Sequence, residues 1–174
     1  RQLITVGKQL GMPALVEAFA ILRGQNKNIK HKLVLIGDAS FGYDDIEYTI
    51  NQFDVEEEVI KPGWIKEEDM PYIYNGASVF VFPSLYEGFG IPLLEAMASQ
   101  IPIVASRAAS IPEVVGEAAL LFEPTDVKSM AEAMEKIILD DNLRKKLIKQ
   151  GHERVKMFSW EKCARETLAE LLDF

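Results

Sequence analysis

Pro83-Ser84-Leu85-Tyr86-Glu87-Gly88-Phe89-Gly90-Ile91-Pro92-Leu93-Leu94-Glu95 joins two apolar segments, residues 77–82 and residues 92–99. The first reads as a buried strand and the second as a helix. Between them, glycines let the backbone approach a ligand with no Cβ in the way. Pro92 suits a first helical turn, where its missing N–H has no intrahelical partner. The N–H groups around Gly90 and Ile91 then lie at the positive end of a helix dipole, a place suited to phosphate. A carboxylate stands on each side of that anion site, Glu87 before it and Glu95 one turn inside the helix.

Ile91 and Glu95 share a helical face, and helical side chains tilt back toward the N-terminus. At ~1.5 Å rise per residue, Glu95 begins only about 6 Å beyond the helix entrance. A nucleotide with its diphosphate at the entrance would bring its ribose hydroxyls near that carboxylate. Glu87 falls on the other side, where a sugar attached to the diphosphate would lie. The neighbours Leu93, Leu94, Ala96, Met97 and Ala98 leave almost no polar face, so Glu95 reads as a lone acid on a largely buried helix. Either acid taken singly is equally the mark of a solvated helix or turn residue. Their combination with the glycines, Pro92 and the strand in front points to a ligand.

With those residues in view, the segment 83–106 resembles the glutamate–seven residues–glutamate motif of retaining glycosyltransferases with the GT-B fold, in the family 4 class. The resemblance continues through Ala109-Ser110-Ile111-Pro112-Glu113-Val114-Val115-Gly116, Ala118 to Pro124 and Phe158-Ser159-Trp160-Glu161. It covers nearly the whole chain, but as the C-terminal, sugar-nucleotide half of such an enzyme. It implies a catalytic role for Glu87 beside the donor sugar and ribose binding for Glu95. It implies sugar and phosphate contacts for Gly88, Phe89, Gly90 and Ile91. The expected activity is transfer of a glycosyl unit from a nucleoside diphosphate sugar with retained anomeric configuration, independent of metal and of any cofactor besides that donor. The acceptor, whether saccharide, lipid or other, would be held by an N-terminal domain outside residues 1–174, which form a single sugar-nucleotide-binding domain.

The loop after the first strand departs from the family pattern. There an Arg and a Lys hold the diphosphate; here Gly7-Lys8-Gln9-Leu10-Gly11-Met12-Pro13 is shorter, with Lys8 its only cation. Gly7 keeps the expected close approach to the donor, and Lys8 is the candidate phosphate contact. Either fewer cations are used, or a stretch between Val6 and Pro13 is missing from this sequence.

The remaining chain alternates strands with helices. Strands are expected over 3–6, 32–36, 59–61, 77–82, 102–106 and 119–122, with helices near 13–23, 44–53, 67–74 and 92–99 and a short turn at 111–115. Such alternation implies an α/β, Rossmann-like parallel sheet covered by helices on both faces. Ligands bind these sheets at the carboxyl ends of the strands, where Gly7, Gly37, Pro62-Gly63 and Pro83 to Gly90 gather. Asp126 and Asp141 open two further helices, the first carrying Met130, Ala133, Met134, Ile137 and Ile138 as core. Arg144, Lys145, Lys146 and Lys149 read as a solvated face of the second. Ser159 caps a last helix, with Phe158 and Cys163 as a hydrophobic staple and Trp160 as its anchor. An exposed apolar stripe over 167–174 is the expected footprint for an N-terminal domain, since the last helix of the resembled family crosses back onto that domain.

At 174 residues and 48% hydrophobic content, the chain suits one compact domain. Arg1-Gln2 running directly into a strand, with no initiator Met, suggests a cut at a domain boundary. A formal charge of −8 disfavours nucleic acid as a partner. Cys163 is the single cysteine, which excludes a disulfide framework and points to a reducing, cytoplasmic compartment, with peripheral membrane attachment left open. No apolar run nears the ~20 residues of a transmembrane helix. His31 and His152 are expected at the surface, without metal-ligand spacing. Three rivals stand beside the transferase: a GT-B sugar-nucleotide epimerase, a dinucleotide-binding oxidoreductase and a non-catalytic scaffold. Gly7 with Gly11 does not supply the G-x-G-x-x-G of the second.

Overall fold

A computed structural model describes residues 2–6, 11–37 and 43–172. The order is β1 (Gln2–Val6), α1 (Met12–Gln25), β2 (Lys32–Ile36), α2 (Tyr43–Gln52) and β3 (Val59–Gly63). A 3-10 turn (Glu67–Asp69) runs into α3 (Met70–Gly76), followed by β4 (Val79–Phe82), α4 (Ile91–Ala98), β5 (Ile103–Ser106), α5 (Ile111–Val115) and β6 (Ala119–Phe122). Three helices close the chain: α6 (Val127–Leu139), α7 (Asp141–Val155) and α8 (Trp160–Leu172). The strands form one sheet in the order β3-β2-β1-β4-β5-β6, and every pairing is parallel.

Period-two alternation along the strands builds two cores, one on each face. Val79 and Val81 turn to one face with Leu33, Leu35 and Val104, where α1 and α6 bring Leu15, Phe19, Met130, Met134 and Ile137. Phe80 and Phe82 turn to the other with Val34, Ile36, Ile103 and Ala105, where α3, α4 and α5 bring Tyr74, Leu93, Met97, Ile111 and Val115. The expected doubly covered sheet is therefore found, with the α6 methionines as core. None of the described helices is long and apolar enough to cross a membrane.

Several expectations are corrected. The third strand runs on through Pro62 and Gly63, because β3 lies at the sheet edge, where a missing N–H costs no ladder bond. Residues 111–115 form a short helix rather than a turn, with Pro112 in its first turn. Asp141 opens α7 as expected, behind a cap at Asp140 whose carboxylate accepts from the N–H groups of Asn142 and Leu143. Ser159 does cap α8, its Oγ accepting from the Lys162 N–H at 3.1 Å. Cys163 is exposed, Trp160 is 77% exposed and no residue of α8 is buried, so the packing expected of Cys163 and the anchoring expected of Trp160 are not found. His31 is buried rather than at the surface, at the amino end of β2.

The two cores and α8 should respond differently to truncation. Met134→Ala is expected to cost about 2–5 kcal/mol in urea unfolding, whereas Leu168→Ala should stay within about 0.5 kcal/mol. A comparable loss at Leu168 would mean that α8 packs on the sheet domain in solution.

Candidate functional site

The chain leaves the adjacent strands β1 and β4 toward opposite faces of the sheet, α1 into one core and α4 into the other. Sheets of this kind take ligands at the carboxyl ends of strands whose connections leave toward opposite faces. Gly11, at the start of α1, shows how close the two loops come. A Cβ there would stand 1.8 Å from the Pro83 carbonyl oxygen, so only glycine fits.

The loop after β4 is held from the side by serines. Ser106, fully buried at the end of β5, donates its hydroxyl to the Ser84 carbonyl. Ser110, preceding α5, donates to the Glu87 carbonyl at 2.8 Å. Within the loop, Ser84 donates to the Tyr86 carbonyl at 2.8 Å. Gly90 then enters α4 in the left-handed region, φ 92° and ψ 56°, and a Cβ would meet the Leu93 side chain at 2.8 Å. The same Cβ position lies 3.5 Å from Cγ of Glu87, which places the glutamate stem against the helix mouth. Among the described residues, the N–H groups of Gly90 and Ile91 donate to no acceptor. They stand at the positive end of the α4 dipole. Phe89 packs edge-on against Phe158, centroids 5.7 Å apart, and Phe158 lies 5.1 Å from the Arg154 guanidinium. Arg154 donates in turn to the carbonyls of Val114 at 3.0 Å and Glu113 at 2.6 Å, closing the C-terminal end of α5.

Glu95 is not the lone buried acid expected from its neighbours. Ile91, Glu95 and Ala98 form an exposed line along α4, while Leu93, Ala96 and Met97 face the core. Its partner comes from α3. Tyr74 is 2% exposed, and its hydroxyl donates to Glu95 Oε2 at 2.8 Å. The Tyr74 ring meets Phe80 edge-on with centroids 5.7 Å apart. Burial, then the Glu95 charge and the hydrogen bond to it, push the phenol pKa well up from its ordinary value near 10. The phenol therefore stays protonated and serves as donor.

Glu87, Gly88, Phe89, Gly90, Ile91 and Glu95 thus belong to one loop and helix start, with Glu87 half-buried and Gly88, Phe89, Ile91 and Glu95 exposed. Gly7 and Lys8 lie outside the described residues. The close-approach glycine that the structure does describe is Gly11, which the sequence reading had weighed only as part of a dinucleotide motif. Ser106, Ser110 and Tyr74 were missed. A signal existed for Tyr74, since a tyrosine facing an apolar strand needs a hydroxyl partner when buried. Among the described residues, no three His, Cys, Asp or Glu side chains gather as a metal site.

Comparison with known proteins agrees with this geometry. Residues 5–154 match the family model described as glycosyl transferases group 1. The O-antigen chain mannosyltransferase B of Escherichia coli is 34% identical over 165 residues, covering 94% of this chain and 43% of its own. The sucrose-phosphate synthase structure from Thermosynechococcus elongatus superposes with a TM-score of 0.81 at 29% identity, over 98% of this chain and 45% of its own. A solved C-terminal domain of a glycosyl transferase group 1 family protein from Francisella tularensis gives a TM-score of 0.77 at 27% identity, over 90% of this chain and 85% of its own. The chain spans 43% and 37% of the length of two curated relatives it matches, and 13% of others.

Two measurements check the local physics. Gly90→Ala must hold a positive φ against Leu93 and should lower the unfolding free energy by about 1–3 kcal/mol. Above about pH 10, Tyr74 ionises in the unfolded chain but not in the folded one. The unfolded state then holds fewer protons, so stability is lost as pH rises. Between about pH 9 and about pH 11, the urea midpoint should fall further for the native protein than for Tyr74→Phe. Equal falls would contradict the raised phenol pKa.

Proposed function

We propose, for a chain that belongs to the glycosyl transferases group 1 family, that it binds a nucleoside diphosphate sugar and presents it for transfer of the glycosyl unit with retained anomeric configuration. One observation carries the reading: N–H groups at the mouth of α4 that donate to no acceptor among the described residues are flanked in the chain by two acids, Glu87 with its stem against Gly90 and Glu95 pinned by Tyr74. The diphosphate sits at the mouth, the ribose hydroxyls donate to Glu95, and the sugar lies on the side of Glu87. Gly88 and Phe89 contribute backbone beside sugar and phosphate, and Gly7 and Lys8 are assigned to the diphosphate.

In this reading the protein contributes orientation and charge stabilisation. Cleavage of the glycosyl–oxygen bond leaves negative charge on the departing diphosphate, and the helix dipole with its amides receives it without reorganising. Glu87 stands where it orients a sugar hydroxyl or faces positive charge at the anomeric carbon, and it is the residue assigned to catalysis. Donor binding requires no metal. The acceptor is held by a part of the protein outside residues 1–174, across the crevice. The mannosyl transfer named for the Escherichia coli relative supports a hexose as the donor sugar. A cytoplasmic location, peripheral to the membrane if the acceptor is a lipid, belongs to the same proposal. An epimerase would need histidine at the strand ends. His31 instead lies at the amino end of β2, and His152 is exposed on α7.

Calorimetric titration with UDP, GDP and ADP tests this. At least one should bind, and Glu95→Ala should weaken it by about tenfold or more, the worth of hydrogen bonds to a charged acceptor. Adding EDTA should leave the affinity unchanged. Absence of binding by all three, or affinity that survives Glu95→Ala intact, would remove the proposal. Affinity lost in EDTA would remove its metal-independent form.

A further inference from the structure

We infer that Tyr74 is a positioning residue for the donor site: its hydroxyl holds the Glu95 carboxylate in the orientation that receives the ribose. This rests on the reading of Glu95 as the ribose ligand.

Glu95 lies on the exposed line of α4. A glutamate at such a place sweeps several rotamers, and a ligand that must fix one of them loses affinity to that ordering. Here the fixing is done in advance. Tyr74 is 2% exposed and packs edge-on against Phe80, itself 0% exposed, so its hydroxyl has one direction. That direction is Glu95 Oε2, at 2.8 Å. An ionised carboxylate offers about four acceptor positions, so one bond from Tyr74 leaves room for two ribose hydroxyls. The phenol, kept neutral by its surroundings, remains a donor at any physiological pH. Because the ring is buried and the hydroxyl engaged, Tyr74 acts on the nucleotide through Glu95 alone.

A structural role and a positioning role separate on the ligand. Calorimetry with UDP, GDP, ADP and their 2′,3′-dideoxy counterparts is run on the native chain, Tyr74→Phe and Glu95→Gln. Phe keeps the packing against Phe80 and removes only the hydroxyl. For the ribonucleotide that binds, Tyr74→Phe should raise Kd about five- to tenfold. For its dideoxy form the change should stay within about twofold, because the hydroxyls that Glu95 would receive are gone. In Glu95→Gln, adding Tyr74→Phe should raise Kd by less than it does alone, since the two residues act as one unit. Equal weakening of ribo- and dideoxynucleotide by Tyr74→Phe would assign the tyrosine to the fold and overturn the inference. Discrimination lost in Glu95→Gln but kept in Tyr74→Phe would overturn it while leaving Glu95 as the ribose ligand. Failure of every diphosphate to bind the native chain would instead fell the function reading, and this inference with it.

Discussion

A sheet whose strands all run parallel can be built only if the chain returns to the same edge after every strand, and that constraint organises the rest of this molecule. Each return is a helix, and each helix must bury a face on the sheet. With strands in the order β3-β2-β1-β4-β5-β6, the first half winds outward from β1 and the second half outward from β4. The helices that follow the two central strands then lie on opposite faces, the arrangement that opens a ligand crevice at the carboxyl edge of such sheets. The crevice is therefore a product of topology before any residue in it is chosen. The strand residues meet the same demand twice over. Val79 and Val81 serve one core while Phe80 and Phe82 serve the other, so no residue of β4 is left to face water.

The entrance to α4 offers backbone N–H groups rather than cationic side chains. The protein carries a formal charge of −8, a poor background for a diphosphate. An anion site made from amides and a helix dipole is local, and falls off within a turn. The surroundings act mainly to keep that backbone in one shape. Ser106 and Ser110 reach across from the neighbouring strand and helix to carbonyls of the loop. Phe89 is backed by Phe158, itself covered by the guanidinium that closes α5. Side chains that never touch a ligand thus decide where the amides point.

The sequence made the fold legible wherever a single local rule governed. Lys32–Ile36 and Ala119–Phe122 were placed to the residue, because short apolar runs between polar turns have few other readings. The helix start at Asp126 was equally plain; the residue caps α6, its carboxylate accepting from the Ser129 N–H at 3.0 Å. Failures came where position in the fold overrode the local rule. Pro62 marks the end of a strand unless that strand is at an edge. Phe158 and Cys163 have the spacing of a staple, yet Phe158 is claimed by Phe89, a residue far away in sequence. Glu95 looked buried because its neighbours are apolar, but a helix shows one line to solvent however apolar the others are. The site was legible as a loop and two acids. Its supports, Tyr74, Ser106 and Ser110, were not, because their partners lie 21 to 23 residues away.

The contact between Gly11 and the Pro83 carbonyl has a consequence for how this domain can diverge. Main chain meets main chain there, at a spacing that admits no methyl group. A methyl at Gly11 could be admitted only by moving the main chain at Pro83, and with it the start of the loop that carries Glu87 and leads into α4. A change at the first helix would thus be read out at the second.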